Sequence, residues 1–281
     1  MFIIAKTQGG CKAPTAVDIP RRWPYNIWYE TRISRTRNRE KTVKEERLLR
    51  EFLIGVCPAA LWLIAAIELV IMLLALKGSG KGKKPLHLLT GLVCFGLFYD
   101  ALIIALGSRL GEGAAFMFLS RLRFVFHGVL IPLLFAICAY ALDLGKTWKT
   151  IVWIFTGVLI VLGVAEGFAT DLSVQQVAGV LRCTSGEGTP GWAKAVSSVL
   201  SYGTVVPLII AGIVVWIRQK TPALFLAGFL MFAFSALGPA TGNFDLIFFI
   251  SMFGEVCMAL FFLIYAKQKN NFFITESEET P

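Results

Sequence analysis

The chain is poor in charge and poorer still in histidine. Only 16% of its 281 residues are Asp, Glu, Lys or Arg, and it has two His, whereas soluble domains carry about 25% charged residues. A charge content this low excludes a soluble enzyme, and with 56% hydrophobic residues it excludes a disordered chain, which needs many charges and few apolar groups. His87 and His127 are too few for the metal triads of seven-helix zinc hydrolases of the ceramidase and progestin-receptor type. The six cysteines, Cys11, Cys57, Cys94, Cys138, Cys183 and Cys257, contain no C-x-x-C. Four of them fall in apolar runs, where a thiol is a small apolar side chain, so neither a disulfide framework nor a metal site is expected. Walker, G-x-G-x-x-G, H-E-x-x-H and nucleophile-elbow motifs are missing, and no cofactor is expected.

What the chain has instead is long apolar runs. A bilayer core about 30 Å thick takes roughly 20 mostly apolar residues of helix, and seven stretches qualify: about 53–76, 86–107, 114–142, 150–169, 195–217, 221–240 and 246–266. They are too long and too uniformly apolar for the short alternating strands of a membrane barrel. The predicted fold is all-α, a polytopic integral membrane protein with a seven-transmembrane-helix bundle over residues 53–267. A basic, charged extension (1–52) precedes it and a short polar tail (268–281) follows. Connections are short except for one over about 170–194. The partner implied is the lipid bilayer. The net charge of +9 bears on topology rather than on nucleic acid.

Orientation follows from Lys and Arg in the short loops. One face collects Lys77, Lys81, Lys83, Lys84, Lys146, Lys149, Arg218, Lys220, Lys267 and Lys269; the other has Arg109, Arg182 and Lys194, joined at most by Arg121 and Arg123. That bias puts the C-terminus in the cytoplasm, the plasma membrane being the expected location. The N-terminal extension pulls the other way, with 12 Lys/Arg against 6 Asp/Glu. Its opening MFIIA is too short for the apolar core of a secretory signal. The stretch ISRTRNREKTVKEERLLREF mixes signs at helical spacing, as a solvated juxtamembrane helix does, or one lying on anionic lipid.

Other seven-helix classes fail residue by residue. A retinal protein needs a Schiff-base Lys midway along its last helix, and none lies between Leu246 and Ala266. A rhodopsin-like receptor carries an acidic-Arg-aromatic triplet at the end of helix three, where this chain has Tyr140-Ala141-Leu142-Asp143.

Against so apolar a background the ionisable residues inside the spans stand out, since each costs at least about 2.5–3.5 kcal/mol at mid-bilayer on insertion scales. They are Glu68, Asp100, Arg121, Arg123, His127, Glu166 and Glu255. Counting 1.5 Å per residue from the face of loops two, four and six, most of them share a slab about 5–14 Å deep with Ser201, Tyr202 and Ser235. Glu68 lies nearer mid-membrane. Ser120, Arg123 and His127 follow i, i+3, i+7 spacing and share a helix face, while Arg121 lies about 200° from Arg123. Arg123 is therefore expected inward, beside a carboxylate of matching depth, Asp100 or Glu255, with Arg121 snorkelling to the headgroups. Glu166 sits in a Gly163-xxx-Gly167 pair, the signature of close helix contact. Pro132 and Pro207 fall inside spans, where freed carbonyls widen a cavity or kink a helix.

The expected site is a cavity lined by Asp100, Arg123, His127 and Glu255, with Tyr99, Glu166, Tyr202 and Glu68 as secondary candidates. Its contents would be a small polar or amphipathic molecule, or a proton, bound or transported. An intramembrane lipid hydrolase is the alternative, with Asp100 and His127 or Glu255 handling a proton or water. The segment GLVCFGLFYDALIIALG, followed by a helix bearing Arg and His, is loosely similar to the Asp-then-His layout of lysoplasmalogenase-type membrane proteins. It lacks their Gly-Asp pair and has a different Asp–His separation. In a third reading, that of an accessory subunit, the same residues are interhelical ties.

Overall fold

The computed structural model describes residues 25–79, 85–241 and 243–278, with side chains over 44–45, 47–79, 85–236 and 243–269. Cys11, the MFIIA segment, the loop lysines Lys81, Lys83 and Lys84, and the side chains of the basic stretch before Lys44 lie outside the described residues. The chain divides into residues 1–48 and 49–281. In the first unit the described backbone is helical from Tyr25.

The second unit is a helical bundle. Among the described residues the helices are α1 (Tyr25–Gly78), α2 (Pro85–Leu110), α3 (Ala114–Leu130), α4 (Leu133–Ala141), α5 (Lys146–Ala169), α6 (Gly191–Gln219), α7 (Ala223–Thr241) and α8 (Phe244–Glu278). Helices α3 and α4 are two halves of one crossing. Counted so, six crossings are long and apolar enough to span a membrane, and α7 is a shorter apolar helix beside them. The seven-helix bundle expected from the apolar runs is the observed fold, and the protein is a membrane protein. Pro58 and Pro207 stay within α1 and α6. Pro132, by contrast, ends α3: its ring offers no N–H and crowds the preceding turn, and the chain crosses it on an i→i+3 bond from Leu134 N–H to the Ile131 carbonyl (3.0 Å).

The largest apolar core joins α2, α4, α6, α7 and α8 around Ile137, Leu208, Leu224 and Phe262. Its far end is tied by polar groups. The carbonyl of Ala141, at the end of α4, accepts from Gln219 Nε2 (3.0 Å), the Tyr265 hydroxyl (3.2 Å) and Lys269 Nζ (3.1 Å). Lys269 also pairs with Asp143 at 2.7 Å. A helix end leaves carbonyls without intrahelical partners, and a cation there meets both them and the helix dipole.

Residues 170–194, expected as a plain connection, fold otherwise. Strands β1 (Leu172–Val177) and β2 (Val180–Ser185) form an antiparallel hairpin. Its two-residue turn, Ala178–Gly179, has positive φ at both positions (48° and 82°), the mirror-image turn that matches strand twist. An isolated hairpin is marginal in water; this one is held by the bundle. Val180 and Cys183 are fully buried, Ala178 N–H donates to Asp245 Oδ1 (2.8 Å), and Ser108 Oγ accepts from Leu181 N–H (3.3 Å). Gly107 lets α2 approach so closely that a side chain there would strike the Leu181 carbonyl.

Helices α3 and α5 meet backbone to backbone. A Cβ on Gly128 would collide with the backbone of Gly163, one on Gly163 with Gly128, and one on Gly167 with Val125. Small residues at such crossings let backbones touch where the surrounding lipid supplies no hydrophobic driving force. Gly163→Leu should lower stability by about 1–3 kcal/mol, read as a lower melting temperature of the purified protein. Gly157→Ala, whose added methyl meets nothing within 4 Å, should leave it unchanged or raise it by up to about 1 kcal/mol.

Candidate functional site

Helix α6 packs on α4 and α5 but makes no comparable contact with α3. The bundle therefore parts in its hairpin-side half, leaving a cavity of about 440 Å³ between α2, α3, α6, α7 and α8. The volume is in the range of small-molecule sites, about 300–1,000 Å³. Tyr202, 70% exposed on α6, and Phe232, 44% exposed on α7, stand at its open side, and the hairpin contributes Arg182, Cys183, Thr184 and Ser185 to its wall.

Asp100, Arg123, His127 and Glu255 all line this cavity, as do Glu166 and Tyr202. Arg123 points inward, buried, with its Nε paired to Asp100 Oδ1. Its Nη1 donates to the Cys183 carbonyl of the hairpin (3.2 Å). A buried charge is tolerable only when paired and hydrogen-bonded, and here the carboxylate comes from α2 and the second acceptor from β2. His127, one turn further along the same stripe, is exposed and faces the cavity.

Arg121 points away from the cavity. It turns onto the end of α5, where Nη1 donates to the carbonyls of Gly167 (3.0 Å) and Phe168 (3.2 Å) and contacts that of Thr170. The last carbonyls of α5 have no partners within the helix, and a guanidinium fork satisfies several of them at once.

Glu166 is buried and accepts from the Thr170 hydroxyl (3.0 Å). Glu255 lines the cavity with its Oε2 buried and without a hydrogen-bond partner among the described residues. Two secondary candidates lie outside the lining. The Tyr99 hydroxyl donates to the Leu119 carbonyl (3.2 Å), and its ring stands edge-on to Phe126. Glu68 is fully buried on α1, both oxygens unpartnered among the described residues, within the electrostatic reach of Glu255 and Asp100.

Arg182 is the residue that sequence reasoning counted only as a loop charge. The hairpin carries it into the cavity wall, its guanidinium 4.9 Å from the centroid of the Phe248 ring and its Nε buried without a partner among the described residues. Burial, then the neighbouring Arg123 charge, pull its pKa down to about 10, so it remains a cation at neutral pH. The signal available was strand-like alternation around residue 182, weakened by an Ala-Gly rather than an Asn-Gly turn. Among the described residues no group of His, Cys, Asp and Glu is placed to hold a metal.

The chemistry assembled is a polar, charge-bearing chamber at the hairpin end that turns apolar toward mid-bundle, where Val93, Leu97, Leu130, Leu134 and Met258 form the wall. In comparison with known proteins, no family model and no curated protein matches this chain.

Removing one partner of the buried pair should be costly. Asp100→Leu strands the Arg123 guanidinium and should destabilise by about 3–5 kcal/mol. The double variant Asp100→Leu/Arg123→Met should cost clearly less than the sum of the two singles, as measured by thermal melts of all four proteins.

Proposed function

We propose that the protein binds a small amphipathic molecule in this cavity. The observation that carries the reading is the polarity gradient of one continuous chamber: charged groups at the hairpin end, branched aliphatic and Met side chains toward the bundle centre. A polar head is matched by the first and a hydrocarbon segment by the second, and the exposed Tyr202 and Phe232 edge supports entry from the side. Binding is the step that a transporter and a sensor have in common. The hydrolase alternative asks Asp100 for a free carboxylate, and Asp100 is engaged by Arg123.

The full-length protein in lipid nanodiscs should bind a fluorescent single-chain amphiphile saturably, one molecule per protein. Ser251→Trp, which adds an indole to the cavity wall, should weaken that binding by about tenfold or more while the protein still inserts and purifies as a monodisperse species. Unchanged binding in that variant would refute the site.

The loop charges add an orientation: the C-terminus in the cytoplasm and the hairpin outside, in the plasma membrane. A reporter fused after residue 281 should be active only as a cytoplasmic reporter, and an external signal there would reverse the assignment.

A further inference from the structure

The charged groups of the cavity differ in how far they are already committed. Arg123 is used by Asp100 and the Cys183 carbonyl, and Glu166 by the Thr170 hydroxyl. Two groups of opposite kind remain. Arg182 presents a buried Nε without an acceptor, and Glu255 a buried Oε2 without a donor, among the described residues. Both line the same cavity, each lies in the other's field, and yet they do not form an ion pair. Arg182 rides on the hairpin, which Asp245 and Ser108 anchor, with its guanidinium over Phe248; Glu255 comes from α8, where Gly254 and Met258 are buried. A buried donor and a buried acceptor that line one cavity without pairing are complementary to a molecule that carries both an acceptor and a donor.

We infer that the head group bound here is zwitterionic, its anionic group on Arg182, its ammonium on Glu255, and its chain directed toward Val93, Leu130 and Met258. The inference rests on the cavity being an amphiphile site. An anionic group accepts from the guanidinium, and a primary ammonium donates N–H to the carboxyl oxygen; both bonds are charge-assisted. The chemistry has two sources, a lysophospholipid with a phosphate and ammonium, or an amino acid acylated on its side-chain hydroxyl, which keeps a free carboxylate and ammonium.

The test uses the full-length protein in phosphatidylcholine nanodiscs, whose quaternary ammonium has no N–H to donate. Four twelve-carbon probes compete with the fluorescent amphiphile: lauroyl lysophosphatidylethanolamine, the lauroyl ester of serine, laurate and dodecylammonium. Both zwitterions, or one of them, should displace it at concentrations about tenfold below laurate and dodecylammonium, the scale of one charged hydrogen bond. The better of the two identifies phosphate or carboxylate as the anion. Arg182→Gln should remove the zwitterion's advantage over dodecylammonium and leave dodecylammonium unchanged; Glu255→Gln should remove its advantage over laurate and leave laurate unchanged. Should Arg182→Gln fail to insert, Arg182→Lys keeps the cation without the Nε donor and should weaken zwitterions and laurate but not dodecylammonium. Equal binding of all four probes, or variants that shift all four alike, overturns the head-group inference while leaving the cavity as an amphiphile site. Failure of the fluorescent amphiphile itself to bind overturns the cavity reading.

Discussion

A guanidinium inside a bilayer is stable only where a carboxylate and further acceptors meet it, and Arg123 finds these on two separate elements. Asp100 comes from α2 and the Cys183 carbonyl from the hairpin. The second contact makes the hairpin part of the electrostatics of the bundle, because moving it would leave a buried charge short of an acceptor. Asp245 at the start of α8 and Ser108 near the end of α2 hold the same hairpin from the other side. One ion pair thus fixes the distance between α2 and α3 and the position of the cover over the space beside them.

That space exists because two local features pull α3 in different directions from α6. Gly128, Gly163 and Gly167 bring α5 into backbone contact with α3, and Pro132 breaks the third crossing so that α4, rather than α3, packs on α6. The gap opens in the hairpin-side half. In the opposite half the same helices close around Ile137, Leu208 and Phe262, with Lys269, Tyr265 and Gln219 gathered on the end of α4. Among the described residues the bundle is packed at one end and chambered at the other.

Much of this was legible from residue spacing. The seven apolar runs mark the helices, because nothing else in the chain is long and apolar enough to cross a bilayer, but they miss the polar extensions of α1 back to Tyr25 and of α8 on to Glu278. The shared face of Arg123 and His127 and the equal depths of Asp100, Arg123 and Glu255 follow from helical geometry alone, since a straight helix converts sequence number into depth and direction. Prediction failed where that conversion does not hold. Residues 172–185 alternate apolar and polar only imperfectly, with Gln175 and Gln176 adjacent and Ala178 in a turn position that favours Asn or Gly. The hairpin is stabilised by what it covers rather than by its own sequence, and without it Arg182 reads only as a loop charge. Arg121 is a similar case, since its partners are carbonyls that become available only where α5 ends against α3. Tyr99 has the right depth but the wrong azimuth, which depth counting cannot resolve between helices, and Glu68, nearer mid-membrane, lies outside the lining as well.

By itself, the sequence determined that this chain is a seven-helix membrane protein with a few ionisable groups in one half of the bilayer, because hydrophobic length and helical periodicity are local properties. Tertiary structure alone decided which of those groups neutralise each other and which are left to face a cavity. Pairing Asp100 with Arg123, satisfying Glu166, and leaving Arg182 and Glu255 apart depends on contacts between helices and a hairpin far apart in the chain. Electrostatic commitment is a property of distances, and those distances are set only when the glycine contacts, the proline break and the hairpin have brought the elements together.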